Sequence, residues 1–288
     1  MRILITGSKG FIGSKIASHL KNKHTLLLPT HTELDLLDEN LVLNFFRRRS
    51  IDLVIHCAVI GGSRKEEYVP SMFTDNLRMF FNLTRCQKYF KRMINIGSGA
   101  AYDKRFPIVS VKEDDILNHI PADDYGLYKY ICAQFIHNSK SIIDLRVFGM
   151  FGEGEDFKYR FISNAICRHI FHMPITMNQN VYFDYMDIND FVHIVDFFIH
   201  HKPRFSAYNI GTGKKINLRV VANRINAIAG RNEKIIIKKN GLNKEYTCDN
   251  SRLLNEYKRL TITPFDSSIK RLYAWYYKNQ HVINKHTL

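Results

Sequence analysis

Tyr125 and Lys129 stand four residues apart in Tyr125-Gly126-Leu127-Tyr128-Lys129, a spacing that places both on one face of a helix. A phenol is a poor acid or base at neutral pH, its reference pKa being about 10, and a neighbouring ammonium favours the phenolate. Such a pair can hand a proton to a reacting oxygen, and the lysine can also hold a cofactor ribose. Alone, a Tyr–Lys pair at this spacing is more often an amphipathic helix face. Ser98 changes that reading. It lies in Asn95-Ile96-Gly97-Ser98-Gly99-Ala100-Ala101-Tyr102, just past a predicted strand, and ligands bind at strand C-termini in open α/β sheets. A hydroxyl there can share a hydrogen bond with a substrate carbonyl while Tyr125 delivers the proton. Ser98, Tyr125 and Lys129 are therefore the candidate catalytic set, and the chemistry is of the dehydrogenase type. Tyr128 is the nearest rival to Tyr125, but it precedes Lys129 directly and faces elsewhere.

A second group supplies what such chemistry needs. Ile3-Leu4-Ile5-Thr6-Gly7-Ser8-Lys9-Gly10-Phe11-Ile12-Gly13 puts glycines at a strand end, a turn and a helix start. Gly7 permits the tight turn, Gly10 the approach of a pyrophosphate and Gly13 close helix–strand packing. The helix N-terminus then offers free N–H groups and a positive dipole to the phosphates. After the next strand comes Leu28-Pro29-Thr30-His31-Thr32, with no acid until Glu33. An acid there would bind the ribose hydroxyls of NAD, whereas basic residues accept the 2′-phosphate of NADP. With Lys9 inside the turn, NADP(H) is favoured and NAD(H) is the alternative. Asp35 is better placed for the adenine than for the ribose.

The elements that must position these groups follow from periodicity. Strands are predicted at Arg2–Thr6, Thr25–Leu28, Leu53–His56, Met93–Ile96 and Ile142–Phe148, alternating with helices at Phe11–Leu20, Leu41–Arg49, Ser71–Tyr89 and Tyr125–Asn138. That alternation predicts an α/β fold, a Rossmann-type doubly wound parallel sheet with helices on both faces. Beyond Gly149 the pattern is irregular, with helices at Phe161–His169, Phe191–His200 and Leu218–Ala229 and short strands at Ala207–Ile210 and Lys234–Ile237. We read 1–150 as the dinucleotide-binding region, its core completed by segments around 181–212, and 151–288 as mainly a smaller α/β substrate lobe.

Composition narrows the function classes. The chain has 42 Lys+Arg against 27 Asp+Glu, a formal net charge of +15, which favours anionic partners. The basic residues are dispersed, with no dense basic helix or RNA-binding aromatic motif, so phosphorylated small molecules are expected and nucleic acid is not. No run of eighteen apolar residues suggests a membrane span, and Met1-Arg2 opens no signal peptide. The five cysteines are scattered and form no CxxC pair, which reads as reduced thiols of a cytoplasmic protein. The thirteen histidines lack ligand spacing. No metal site is expected, and His200-His201 reads as a solvated helix end.

With the glycine turn, Ser98 and Tyr125–Lys129 in chain order, the sequence resembles the extended short-chain dehydrogenase/reductases, in their nucleotide-sugar epimerase/dehydratase branch. The likeness covers nearly the whole chain. His56-Cys57-Ala58, Asn76-Leu77, Arg146-Val147-Phe148-Gly149, Asp190-Phe191-Val192 and Tyr208-Asn209-Ile210-Gly211-Thr212-Gly213 stand where that branch has its markers. Glu33-Leu34-Asp35-Leu36-Leu37-Asp38 and Ala58-Val59-Ile60-Gly61-Gly62 are especially similar to the GDP-fucose synthase family, which epimerises and then reduces GDP-4-keto-6-deoxymannose with NADPH. The resemblance implies cofactor contacts from Gly7 to Gly13 (Ser8, Phe11 and Ile12 included) and at Leu36, Cys57, Ala58, Ile96, Gly97, Val147 and Phe148. Lys9 and His31 match that family's basic residues. It implies substrate contacts at Gly99, Gly149, Arg160, Arg168, Phe183 and Tyr246, and a homodimer formed by the helix before the serine strand and the helix of Tyr125, with Phe80, Phe81, Leu83, Ile131 and Phe135. A buried core face explains those apolar residues equally well.

The departures carry more information than the matches. A cysteine of GDP-fucose synthase is replaced by Ala100, and its histidine on the later helix by Arg160. Epimerisation needs a base and an acid on the two faces of the carbon beside the ketone. Alanine is neither, and arginine stays protonated. Phe183 stands for the family's arginine before Asp190, and Gly149 for its asparagine. Arg168 still matches a diphosphate ligand. The implied function is NADPH-dependent reduction of the C4 ketone of an NDP-4-keto-6-deoxy sugar, hexose or heptose, without epimerisation, in surface-polysaccharide biosynthesis. The rival readings are a redox-neutral NDP-sugar epimerase with tightly held NAD, and a nucleotide-sensing or RNA-binding protein on the same fold. Dehydration is disfavoured because Gly99-Ala100 lacks the acidic pair beside the serine.

Overall fold

A computed structural model describes residues 1–61 and 69–288. Gly62, the last residue of the Ala58–Gly62 likeness, falls outside the described residues. The first half runs β1 (Arg2–Thr6), α1 (Phe11–Leu20), β2 (Thr25–Leu27), α2 (Glu39–Arg47), β3 (Leu53–His56), α3 (Met72–Thr84), β4 (Arg92–Ser98), β5 (Ile108–Val111), α4 (Asp124–His137) and β6 (Ile142–Val147). The second runs β7 (Gly149–Phe151), α5 (Phe161–Ile170), β8 (Ile175–Asn180), β9 (Tyr182–Asp187), α6 (Ile188–His200), β10 (Ala207–Ile210), β11 (Lys215–Asn217), α7 (Leu218–Ala229), β12 (Ile235–Leu242), β13 (Tyr246–Cys248), α8 (Ser251–Glu256) and α9 (Phe265–Lys278).

A six-stranded sheet in the order β10-β6-β4-β3-β1-β2 forms the frame, and every pair in it is parallel. Its central strands read as unbroken apolar runs, such as Ile3-Leu4-Ile5, because both faces are covered. The residues of α1 and α6 cover one face through Ile16, Leu20, Phe191, Val195 and Phe198. On the other face α2, α3 and α4 pack Val42, Phe46, Phe80, Leu83, Cys132 and Ile136. The expected doubly wound sheet is therefore present. Strand order reverses between β1 and β3, and the crevice at such a switch point is where these sheets bind ligands.

The rest of the chain forms a mixed sheet, β11-β9-β13-β5, with β7 joined to β9, and a two-stranded β12–β8 ribbon. Residues of α5, α7 and α9 close a second core over it, with Ile166, Val221, Ile225, Ile269 and Leu272 fully or almost fully buried. The second sheet reaches the first half of the chain because β13 pairs with β5.

Several boundaries differ from expectation, each for a local reason. The helix expected over Ser71–Tyr89 ends at Thr84, and a 3-10 turn at Gln87–Tyr89 brings the chain round to β4. Asp187 caps α6 by accepting from the Asn189 amide at 2.8 Å, so α6 starts before its apolar period begins at Phe191. Strand β12 extends through Lys238-Lys239-Asn240, where its partner β8, not apolar pattern, holds it.

Candidate active site

Ser98 ends β4 and faces Val147, the last residue of β6. Its Oγ accepts from the Ala100 amide at 3.1 Å, which starts a tight turn over Gly99–Tyr102. Asp123 caps α4 by accepting from the Gly126 amide at 2.9 Å, and Tyr125 and Lys129 follow on successive turns. Lys129 is buried, and its Nζ donates to the Ile96 carbonyl at 2.6 Å. The ammonium lies 5.9 Å from the Tyr125 ring centre and 5.0 Å from that of Tyr128. Distance alone would favour Tyr128, but its ring is sealed in the α2–α3–α4 core and burial pushes its hydroxyl far above the usual phenol range. Tyr125 is only half-buried and packs edge-on against Tyr128 at 5.4 Å.

Tyr246 completes the cluster from the other sheet. Its ring packs on Phe148 at 5.0 Å and Phe183 at 5.8 Å. Burial raises its hydroxyl above the ordinary value, while a hydrogen bond with Ser98 acts the other way. A Cβ on Gly99 would sit 2.6 Å from that hydroxyl and 2.8 Å from the Phe148 ring, so only glycine lets Tyr246 reach Ser98. Arg160, the exposed residue just before α5, is near enough for its charge to act on Tyr246. Gly149 has no room for a side chain either, since a Cβ would meet the Asp184 carbonyl. Arg168 is engaged within its own lobe, donating to Asn164 Oδ1 at 3.0 Å and to the Pro174 carbonyl at 3.2 Å.

The glycine turn lies at the β1–β3 switch point. Gly7 has φ +66°, and a Cβ on it would meet the Ala58 amide nitrogen at 2.6 Å. The Gly10 amide donates to the Gly7 carbonyl at 3.0 Å. No side chain caps α1, and its first turn contains no acid, which leaves its N-terminus fitted to a pyrophosphate. Beside it, Asn76 fixes the loop after β3, accepting from the Ile60 amide at 2.9 Å and donating to its carbonyl at 2.8 Å. Burial lowers His56 to about 3, with the Lys129 charge adding to the effect, and Thr6 Oγ1 lies 2.8 Å from its Nδ1. Burial likewise pushes the Cys57 thiol up to about 12. Both groups therefore stay neutral beside the dinucleotide crevice.

The adenosine end is more mixed than the sequence suggested. His31 is exposed, its Nε2 3.5 Å from Asp35 Oδ1, and Asp35 also accepts from the Leu37 amide at 2.9 Å. The buried Leu36 is held by Asn82, whose Nδ2 donates to its carbonyl at 2.9 Å. Glu33 turns back to accept from Thr30, and that bond, with the charges of Arg49 and Lys9, keeps its carboxyl below the usual range. Arg49 was missed in the sequence, where nothing linked a residue after α2 to the glycine turn. Its guanidinium lies over the Phe45 ring at 3.9 Å.

The expected dimer face is only partly exposed. Phe80 and Leu83 are core residues, while Phe81 and Ile131 are half-buried and Phe135 is exposed. Phe80, Phe81 and Phe135 form an edge-to-face set between α3 and α4. Among the described residues no helix is long and apolar enough to cross a membrane.

A doubly wound parallel sheet with a glycine turn at its switch point, Ser98 at the end of β4 and Tyr125 and Lys129 on α4 has the frame of a nicotinamide-dependent oxidoreductase. The profile of the NAD dependent epimerase/dehydratase family matches residues 3–211, and the chain belongs to that family. It is 31% identical to GDP-L-colitose synthase of Yersinia pseudotuberculosis over 109 residues, which span 36% of this chain and 35% of that protein. Against GDP-6-deoxy-D-mannose reductase of Pseudomonas aeruginosa it is 25% identical over 243 residues, 76% of this chain and 77% of the relative. GDP-L-fucose synthases stand among the same relatives, as the motifs implied. The solved structure of a GDP-mannoheptose C4 reductase from Campylobacter jejuni with NADP bound superposes with a TM-score of 0.82 at 18% identity, over 96% of this chain and 98% of that one.

Proposed function

We propose that the protein is an NADPH-dependent reductase of the C4 ketone of an NDP-4-keto-6-deoxy sugar, acting without epimerisation, in the supply of deoxysugars for surface polysaccharide. The observation that carries the reading is the pairing of a full Ser98–Tyr125–Lys129 set with Ala100, whose methyl is buried in the turn beside Ser98. A carbonyl bound there meets a proton donor, and no acid or base is supplied by residue 100 to invert a neighbouring carbon. Reductases among the relatives support the same class.

In this reading the bound dinucleotide supplies the hydride. Ser98 orients the ketone oxygen, and Tyr125 gives it a proton. Lys129, fixed by the Ile96 carbonyl, stabilises the phenolate left behind. The α1 N-terminus and Gly7–Gly13 hold the pyrophosphate. Lys9, His31 and Arg49 favour a 2′-phosphate, with Glu33 as the opposing charge. Phe148, Phe183 and Tyr246 wall the sugar, and Arg160 and Arg168 meet its diphosphate. The face formed by Phe81, Ile131 and Phe135 is where a second copy would pack.

Incubation with NADPH and candidate ketosugars in deuterated water tests the reading. Stoichiometric NADPH oxidation is expected, with no solvent deuterium at the carbons flanking C4. Deuterium at either carbon would show epimerisation and overturn the reading. So would wild-type turnover by Tyr125→Phe, whereas Tyr128→Phe should retain activity.

A further inference from the structure

At the end of the sheet opposite the active site, α1, the turn into β2 and the last turn of α6 bring together side chains that the reduction does not use. One ligand atom each from His24, Asp196 and His200 lie within 4.8 Å of one another. Both ring nitrogens of His24 are shielded from solvent and have no hydrogen-bond partner. Asp196 Oδ1 is likewise buried and lacks a hydrogen bond. The other carboxylate oxygen is engaged, receiving Lys23 Nζ at 2.5 Å and lying 2.9 Å from His19 Nε2. His200 Nδ1 is 3.4 Å from Asp196 Oδ1 but hydrogen-bonds with the Asp196 carbonyl at 2.9 Å. The His24 and His200 rings face each other at 5.4 Å, tilted by 34°. A groove lined by His193, Asp196, Phe197, His200, His201 and Tyr257, among others, opens beside them.

Shielded imidazole nitrogens and a carboxylate oxygen that lack hydrogen bonds are uncommon, because buried polar groups are nearly always satisfied. Two imidazoles and a carboxylate are also a donor set suited to zinc-class ions, which bind such nitrogens and oxygens at about 2.0–2.2 Å. We propose that His24, Asp196 and His200 form a binding site for one zinc-class divalent transition-metal ion, which ties the α1–β2 turn to the end of α6. Ligand atoms of a tetrahedral ion at those bond lengths stand about 3.3 Å apart, so the three groups, now within 4.8 Å of one another, must close in by up to about 1.5 Å. His24 lies in a turn and the exposed His200 at a helix end, where such movement is available. Lys23 opposes the ion. His201 keeps the helix-end role expected of the pair, its ring stacked on Phe197 at 4.1 Å.

The test uses the full chain at neutral pH, with Zn²⁺ in equilibrium dialysis, Co²⁺ absorption as a report on ligand geometry, and thermal melts with Zn²⁺ or Mg²⁺. Wild type should take up one equivalent of Zn²⁺ and melt higher with it but not with Mg²⁺. His24→Ala and His200→Ala should each weaken uptake at least tenfold, and Lys23→Met should tighten it. His200 is exposed, so its variant should fold as wild type does, which circular dichroism verifies. No stoichiometric uptake by wild type, or uptake unchanged in both histidine variants, would overturn the proposal; in the second case the ion sits elsewhere, as on the cysteines.

Discussion

Lys129→Met separates catalysis from stability at one buried position. The side chain is 8% exposed, and its Nζ donates to the Ile96 carbonyl at 2.6 Å. An ammonium–carbonyl hydrogen bond contributes about 1.5–3 kcal/mol. Against that stands the desolvation of a buried charge, about several kcal/mol after relaxation. Methionine keeps the packing volume and removes both, leaving the Ile96 carbonyl without this donor. The two effects oppose each other, so the urea-unfolding free energy should change by less than about 2 kcal/mol. Catalysis has no such compensation. A positioned acid–base group contributes about 10²–10⁴-fold, which at about 1.4 kcal/mol per decade is about 2.7–5.5 kcal/mol of barrier. The assay follows NADPH oxidation by absorbance over a range of ketosugar concentrations, beside NADPH binding by fluorescence and urea melts. A folded variant with kcat/KM at least a hundredfold down fits the reasoning. A folded variant within about tenfold of wild type refutes it, and so does activity lost only in proportion to unfolding.

Gly7→Ala should destabilise by about 2–5 kcal/mol, adding the left-handed backbone cost to overpacking against the Ala58 amide, and should weaken NADPH binding at least tenfold in fluorescence titration. Tyr246→Phe removes the hydroxyl that meets Ser98, and one hydrogen bond of about 0.5–1.5 kcal/mol corresponds to a fall in kcat/KM of up to about tenfold, with the melting temperature nearly unchanged. Glu155, fully desolvated and joined to Ser163 Oγ at 2.6 Å, has its carboxyl raised from 4.5 to about 8 by burial. A carboxyl raised in the folded state favours folding below its unfolded pKa and loses that contribution as pH climbs through the folded value. Stability should therefore fall between about pH 4.5 and 8 by up to about 5 kcal/mol from this group, and Glu155→Gln should remove that slope in urea melts at stepped pH. Parallel curves for wild type and variant would show that Glu155 ionises freely in the fold.

What could be read from the sequence was whatever local spacing encodes. The glycine turn, the Tyr125–Lys129 pair and Ser98 after its strand each need only a few consecutive residues, and the central strands announce themselves because burial on two faces leaves unbroken apolar runs. What could not be read depends on contacts between distant segments. Strands β5, β9, β11 and β13 are short and carry polar residues, since one pairs with another instead of sinking into the main core, and their sequences show no period. The resemblance implied Tyr246 only as a substrate contact, and its meeting with Ser98 exists because β13 pairs with β5 and Gly99 leaves the space. Arg49 joins Lys9 at the adenosine end through the packing of α2, and His24 meets His200 through the packing of α1 on α6. The candidate proton-transfer set could be proposed from the sequence because one helix and one strand end carry it. The groups proposed to line the sugar site, and those proposed to bind a metal ion, are products of the assembled fold. Substitutions at Gly99 or in β13 should therefore alter substrate selection before they alter proton transfer.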